Sequence, residues 1–174
     1  MAAFILSLSI TTMASAQYKP SDQGSALQFT IQNLGFDVHG SFTGLRGSIT
    51  FDPQNISGSS FDVTIDASTV NTDNGMRDDH LKGEGYFDVK NYPVVHFTST
   101  TVTAAKNGGY MVTGKLVIKN KTGDLSFPFT ASPTGNGWLF KGSFKINRKD
   151  YGIGGTSTIS NQLEVVLNVT TEKK

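Results

Sequence analysis

Residues 77 to 97, RDDHLKGEGYFDVKNYPVVHF, carry an unusual density of side chains able to do chemistry: Arg77, Asp78, Asp79, His80, Glu84, Asp88 and His96. Two chemistries suit such a set. One is a metal site of imidazole and carboxylates; the other is acid–base catalysis by a His–Asp pair. Spacing argues against the metal. Thr72-Asp73-Asn74-Gly75 offers helix caps and Gly83 a stop, so a two-turn helix is expected over Gly75 to Lys82. Helical side chains share a face when they are three or four apart. Asp78, Asp79 and His80 are consecutive and fan apart, and the positions three and four before His80 are Arg77 and Met76. His80 and Glu84 have a suitable separation, but Gly83 falls between them. No metal is expected. The chain also has no cysteine, which rules out disulfides and thiolate zinc sites.

Catalysis has little more support. There is no G-x-S-x-G elbow and no P-loop, and Gly152-Ile153-Gly154-Gly155 lacks the βα unit a dinucleotide loop requires. His39 and His96 fall within strands. No catalytic residue and no cofactor is expected, and an enzyme using His80 with Asp78 or Asp79 is kept as the alternative. The structural reading is more economical. Arg77 and Leu81 share a helical face, Asp78 and Lys82 are spaced as an ion pair, and Arg77 can fork onto a carboxylate or backbone carbonyls. Asp88 is placed to close the turn before Tyr92-Pro93, and Pro93 opens the next strand, where a missing N–H is tolerated. The stretch then forms a helical corner between two strands, and a lid over one end of whatever they enclose.

Those enclosing elements are strands. Of the 174 residues 19 are Gly and 12 are Phe, a balance that favours strands and turns over helices. From Leu27 onward apolar and polar residues alternate, most clearly at Leu27-Phe29-Ile31, Phe61-Val63-Ile65, Tyr110 to Ile118, Trp138 to Ile146 and Leu163 to Val169. One run, Val38-Gly40-Phe42 then Gly47-Ile49-Phe51, is broken by a bend at Gly44 to Arg46. Asn107-Gly108 and Gly135-Asn136-Gly137 are hairpin signals. The expectation is all-β: an eight-stranded antiparallel up-and-down barrel, favoured over a sandwich because closure leaves no free edges. Such a barrel has room for its own side chains or for one ligand. Gly40, Gly114 and Gly142, set among the phenylalanines, mark bends or leave room beside rings.

Two further constraints come from the chain as a whole. The net charge of +1 gives no electrostatic case for nucleic acid. Ala2 to Ile10 is an apolar run too short to span a bilayer, followed by Ala14-Ser15-Ala16 and Gln17. Residues 1–16 therefore read as a signal peptide that lacks its basic n-region, with one barrel domain over 17–174 and a periplasmic or secreted destination.

The residues now converge on a known pattern. Asp78-x-His80-Leu81, Tyr86-Phe87-Asp88-Val89 and Tyr92-Pro93-Val94-Val95-His96-Phe97-x-Ser99 resemble the signature of the YceI-like proteins. So do Val38-x-Gly40-x-Phe42-x-x-Leu45-x-Gly47-x-Ile49-x-Phe51-Asp52 and Asn147-Arg148-Lys149-Asp150-Tyr151-Gly152-Ile153. A departure falls at Asn120-Lys121-Thr122, where relatives usually have a Gly-Val-Thr-like turn. The resemblance implies an exported bacterial, lipocalin-like barrel whose apolar pore binds a polyisoprenoid, such as an isoprenoid quinone or a polyprenyl phosphate. The inward candidates for that pore are Phe29, Phe42, Phe61, Phe97, Phe127, Phe129, Trp138, Phe140 and Phe144. Arg77, His80, Arg148 and Tyr151 are candidate head-group donors at its mouth. The expected partner is thus an isoprenoid lipid, with transient membrane contact and a homodimer compatible with that role. A ligand-free, stress-related structural protein is the remaining alternative.

Overall fold

The computed structural model describes residues 16–106 and 108–174. The expected signal peptide, apart from Ala16, and Asn107 of the expected hairpin turn lie outside the described residues. The elements in chain order are β1 (Gln17–Asn33), β2 (Phe36–Phe42), β3 (Arg46–Thr50), β4 (Ser60–Asp66), α1 (Gly75–Lys82), β5 (Val94–Ala104), β6 (Tyr110–Ile118), β7 (Lys121–Thr134), β8 (Gly137–Asn147) and β9 (Ile159–Lys173). From β3 to β9 each strand pairs antiparallel with its successor, and β9 returns to β1 along most of its length, which closes the barrel.

The nine strand segments make an eight-stranded barrel, because β2 and β3 are two halves of one bent strand. Both lie against β1. β2 pairs with its C-terminal half, from Leu27↔Phe42 to Asn33↔Phe36. β3 pairs with its first residues, Gln17↔Thr50 and Tyr18↔Ile49. The bend lies at the expected Gly44 and is held by the neighbouring strand β1. Asp22 sits in a β1 bulge between Ser21 and Ala26, where the register with β9 shifts. Its carboxylate accepts hydrogen bonds from Gly44 N–H (3.0 Å) and Leu45 N–H (2.8 Å).

The bend has a price for the wall. β2 leaves the plane of β3 and forms no ladder with β4. A single bridge holds that flank: Ser41 and Asn71 exchange backbone hydrogen bonds of 2.8 and 3.0 Å. Thr43 N–H adds a bond to Thr69 Oγ1 (2.9 Å). The segment then runs on into α1, and behind α1 the ring of Phe87 meets that of Phe42 at 5.3 Å. The helical corner therefore fills a place where the barrel wall is incomplete.

Two of the connections are two-residue hairpins with both central residues at positive φ. These are Leu34-Gly35 (52° and 83°) and Lys119-Asn120 (50° and 59°), the signature of type I′ turns. The second lies at the departure from the family pattern; Asn120 suits the left-handed position as Gly would.

The core is graded along the barrel axis. Ile49, Phe51, Val112, Phe129 and Phe140 are buried, whereas Phe29, Phe42, Val63, Phe97 and Phe144 are only half-buried although they also point inward. One end is packed shut and the other is open.

Candidate functional site

The closed end is an aromatic floor. Phe51, 1 % exposed, sits at its centre. Its ring lies 5.2 Å from Tyr110, 5.0 Å from Trp138 and 5.1 Å from Phe140, all edge-on, with Phe129 at 6.2 Å. Phe61 joins the cluster through Phe129 (5.4 Å) and Phe140 (5.3 Å). Edge-to-face packing at these separations is the favoured geometry for aromatic pairs.

Above the floor runs a cavity of about 650 Å³, within the range of roughly 300–1,000 Å³ typical of ligand sites. Its wall is nearly all carbon. Phe29, Phe42, Phe61, Phe97, Phe127, Phe129, Phe140 and Phe144 line it, together with aliphatic residues such as Leu27, Ile31, Val63, Leu116, Val165 and Leu167. Trp138 is not on that wall: it packs behind the floor against Phe51. Alternation assigns Trp138 correctly to the inner face but says nothing of its depth along the axis.

The glycines explain how so many rings leave space. A Cβ on Gly40 would lie 2.2 Å from the Phe29 ring, its cross-strand neighbour. One on Gly114 would lie 2.8 Å from the Phe97 ring, and one on Gly142 3.2 Å from Phe127. Each ring lies down over the bare backbone of the next strand and forms part of the wall. At Gly40 the nearest atoms all belong to Phe29, so a larger residue there would force that ring up into the bore; at Gly114 and Gly142 the carbonyl oxygens of Thr98 (2.3 Å) and Pro128 (3.0 Å) obstruct a side chain first. The glycines leave room beside rings, the second of the two roles the sequence allowed them.

Polar lining gathers at the opposite, open end: Asn33, Asn74, Arg77, His80 and Arg148. Most of these groups are committed to the fold. Arg148 is 2 % exposed. Its Nε donates to Ser160 O (2.9 Å), Nη1 to Ile153 O (2.7 Å), and Nη2 to Ile159 O (3.0 Å) and Ser157 Oγ (3.1 Å). It holds the loop between β8 and β9 rather than presenting a free cation at the mouth. Tyr151 is buried and away from the cavity, its hydroxyl lying over Gly123. Burial raises its pKa, and the charges of Asp150 and Asp124 push the same way. Both residues follow a strand in sequence. The 3-10 turn Arg148–Tyr151 carries them into the wall, and alternation contains no sign of that.

Arg77 and Asp78 belong to a latch. Asp78 Oδ1 accepts from Thr72 N–H (2.9 Å) and Thr72 Oγ1 (2.5 Å). Arg77 Nε donates to Thr72 Oγ1 (2.7 Å) and Nη2 to Thr72 O (2.7 Å). Asn74 caps α1 by accepting from Arg77 N–H (3.1 Å), over the helix range expected from sequence. The expected Asp78–Lys82 pair does not form; Asp78 is turned back to Thr72, and Lys82 reaches Asp79 instead at 3.8 Å. Asp88 closes its turn as expected, its carbonyl accepting from Asn91 N–H (3.0 Å) and Tyr92 N–H (2.8 Å). Asp78→Ala should therefore cost about 1–3 kcal/mol, because it strands the buried Thr72 donors. Urea unfolding is the check, and an unchanged midpoint would remove the latch from the account.

His80 is exposed and stacks edge-on against Tyr86, centroids 4.8 Å apart. Neither Asp78 nor Asp79 orients its ring. His96 Nε2 lies 2.6 Å from Asp62 Oδ1 on the outer surface, and His39 Nδ1 3.0 Å from Thr30 Oγ1. Among the described residues no three His, Asp or Glu side chains gather as a metal site.

A nearly polar-free bore, an aromatic floor and a helical corner over a gap in the wall can be compared with known proteins. A family model described as the YceI-like domain matches residues 18–171. The chain belongs to the YceI-like family. Among curated relatives, a UPF0312 protein of Yersinia pestis is 32% identical over 165 residues, covering 88% of this chain and 85% of that protein. UPF0312 protein YE1254 of Yersinia enterocolitica is 32% identical over the same length. Among solved structures, BcnA of Burkholderia cenocepacia superposes with a TM-score of 0.81 at 25% identity, covering 86% of this chain and 98% of that one. A polyisoprenoid binding domain from Saccharophagus degradans shares the fold, with a TM-score of 0.71 at 16% identity over 92% of this chain and 100% of that one. Phe51, the centre of the floor, is absent from the sequence-derived pore list. It falls at the end of an alternating run beside Asp52-Pro53, and the inward parity it shares with Ile49 was the available signal.

Proposed function

We propose that this YceI-like protein binds an isoprenoid lipid in its barrel and carries it through an aqueous compartment outside the cytoplasm, without chemical change to the lipid. The observation that carries the reading is the bore itself: about 650 Å³, walled by carbon, shut by aromatics at one end and open at the other. Burying a methylene is worth about 0.8 kcal/mol, so an apolar chain gains from every carbon it places there. Ordering costs reduce the net affinity but not its direction. A branched, unsaturated polyprenyl chain suits a wall of Phe rings and aliphatic side chains. Family membership and the name of the Saccharophagus domain support the same ligand class. The leader read over residues 1–16 supports an exported, periplasmic setting. The enzyme alternative is the weaker reading, since His80 has no oriented partner and no second catalytic group faces it.

The test is to purify the protein from bacterial cells under non-denaturing conditions, extract it with organic solvent and identify lipids by mass spectrometry. A polyprenyl lipid at near-stoichiometric amount is the expected result. Consistently empty protein that also refuses added polyprenyl lipid would overturn the reading. Gly40→Val supplies the matched control: the Phe29 ring is driven into the bore, and retained lipid should fall roughly tenfold or more while far-UV circular dichroism stays that of a barrel.

A further inference from the structure

The three most exposed large apolar side chains among the described residues lie on two segments beside the mouth. Leu34 (71 % exposed) and Phe36 (77 %) are on the β1–β2 hairpin tip, and Met76 (86 %) is in the first turn of α1. Asn33 and Val38 from the hairpin and Asn74 and Met76 from the helix all line the cavity, so the two segments flank its opening. Phe36 is in step with Val38, Gly40 and Phe42, the row of β2 that faces the bore. The apolar wall therefore continues outward past the rim.

Leu34 adds a second, independent observation. It occupies the first position of a type I′ turn at φ 52°. Asn or Gly is preferred there, because a larger side chain is strained in the left-handed region. Leu34 accepts that strain and packs against little of its own chain.

We infer that this rim is a membrane-docking surface, on which Leu34 and Phe36 enter the interface of a lipid bilayer and bring the open bore against it. The inference rests on the lipid-carrying reading. A protein partner fits less well. Large apolar side chains contribute roughly 150–250 Å² each, so three fall short of the roughly 800 Å² per partner of a stable interface. A fluid bilayer needs no shape complementarity and offers a route from acyl chains into the bore without crossing water. Charges along these segments are mainly acidic, with Asp37 beside Phe36 and Asp73, Asp78 and Asp79 against the single Arg77 around Met76. Docking is therefore driven by apolar insertion, without preference for anionic lipid.

The test compares the parent with the double variant Leu34→Asn/Phe36→Thr. Asn-Gly is the favoured type I′ pair and Thr keeps strand propensity, so the variant should melt no earlier than the parent. Loading with a fluorescent polyprenyl lipid from phosphatidylcholine vesicles should slow roughly tenfold or more, with little dependence on salt. Affinity for the same lipid offered from detergent micelles should not change. Equal loading rates overturn the docking surface, as does steep salt dependence in the parent. So does size-exclusion showing that the parent self-associates through these residues and the variant does not. Co-sedimentation of lipid-free protein with phosphatidylcholine vesicles separates the two readings. A parent that sediments with vesicles yet takes no polyprenyl lipid from micelles retains the docking surface and loses the lipid-carrying function.

Discussion

Arg148→Met should destabilise the barrel by about 3–5 kcal/mol, measured by urea unfolding, because one guanidinium serves four acceptors. Three of those are backbone carbonyls, of Ile153 in the β8–β9 connection and of Ile159 and Ser160 at the start of β9, and Met offers them nothing. Met matches much of the side-chain volume, so the loss isolates hydrogen bonding from packing. For a domain of this size each kcal/mol lowers Tm by roughly 2–4 °C, which makes a fall on the order of 10 °C. Arg148→Lys should recover only a small part, since a single ammonium cannot fork in the guanidinium plane. The experiment also decides between two roles for the residue. A head-group ligand would lose lipid affinity with the fold intact; a loop anchor loses stability first. A midpoint shift under about 1 kcal/mol together with a large drop in affinity for a charged polyprenyl lipid would return Arg148 to the binding site.

The contrast between Arg148 and Phe29 shows what a sequence of this kind displays and what it hides. Phe29 was readable because alternation reports which face of the sheet a side chain is on, and in a closed barrel that face is the bore. Its partner Gly40 was visible as well, though only the folded barrel shows the ring lying across it. The helix Gly75–Lys82 was legible to the residue, since caps and stops act locally. Depth along the axis is not local. Trp138 and Phe144 have the same parity on β8, yet one packs at the floor and the other lines the cavity. Nor does the start of β1 announce itself. Between Gln17 and Ser25 it contains Pro20 and a bulge, both poor strand signals. Pro20 is tolerated because it pairs with Thr171 of β9 while β3 meets β1 only at Gln17 and Tyr18. The bulge then delivers Asp22 to the bend at Gly44, a contact across 22 residues that no periodicity encodes. The rim residues were hidden for a different reason: Leu34 falls outside every alternating run, and only its left-handed, exposed position in the turn gives it meaning.

Phe51→Ala removes the centre of the floor. Truncating a buried Phe to Ala costs about 3–5 kcal/mol, the upper part applying where neighbours cannot collapse. Here Tyr110, Trp138 and Phe140 are held edge-on by the ring that is lost, and their strands are fixed by the closed ladder. Collapse should be incomplete and the cost high, read as a lower urea midpoint with an unchanged m-value. Function adds a second, directional readout. The bore ends on Phe129 and Phe140, which rest against Phe51, so deleting that ring lets them drop back and deepens the cavity at the closed end while leaving the mouth untouched. Against a series of polyprenols of increasing length, the variant should shift its preference towards longer chains relative to the parent. Equal preference in both proteins would mean that the chain does not reach Phe129 and Phe140, and that its end lies higher in the bore, among the half-buried rings of Phe97 and Phe144.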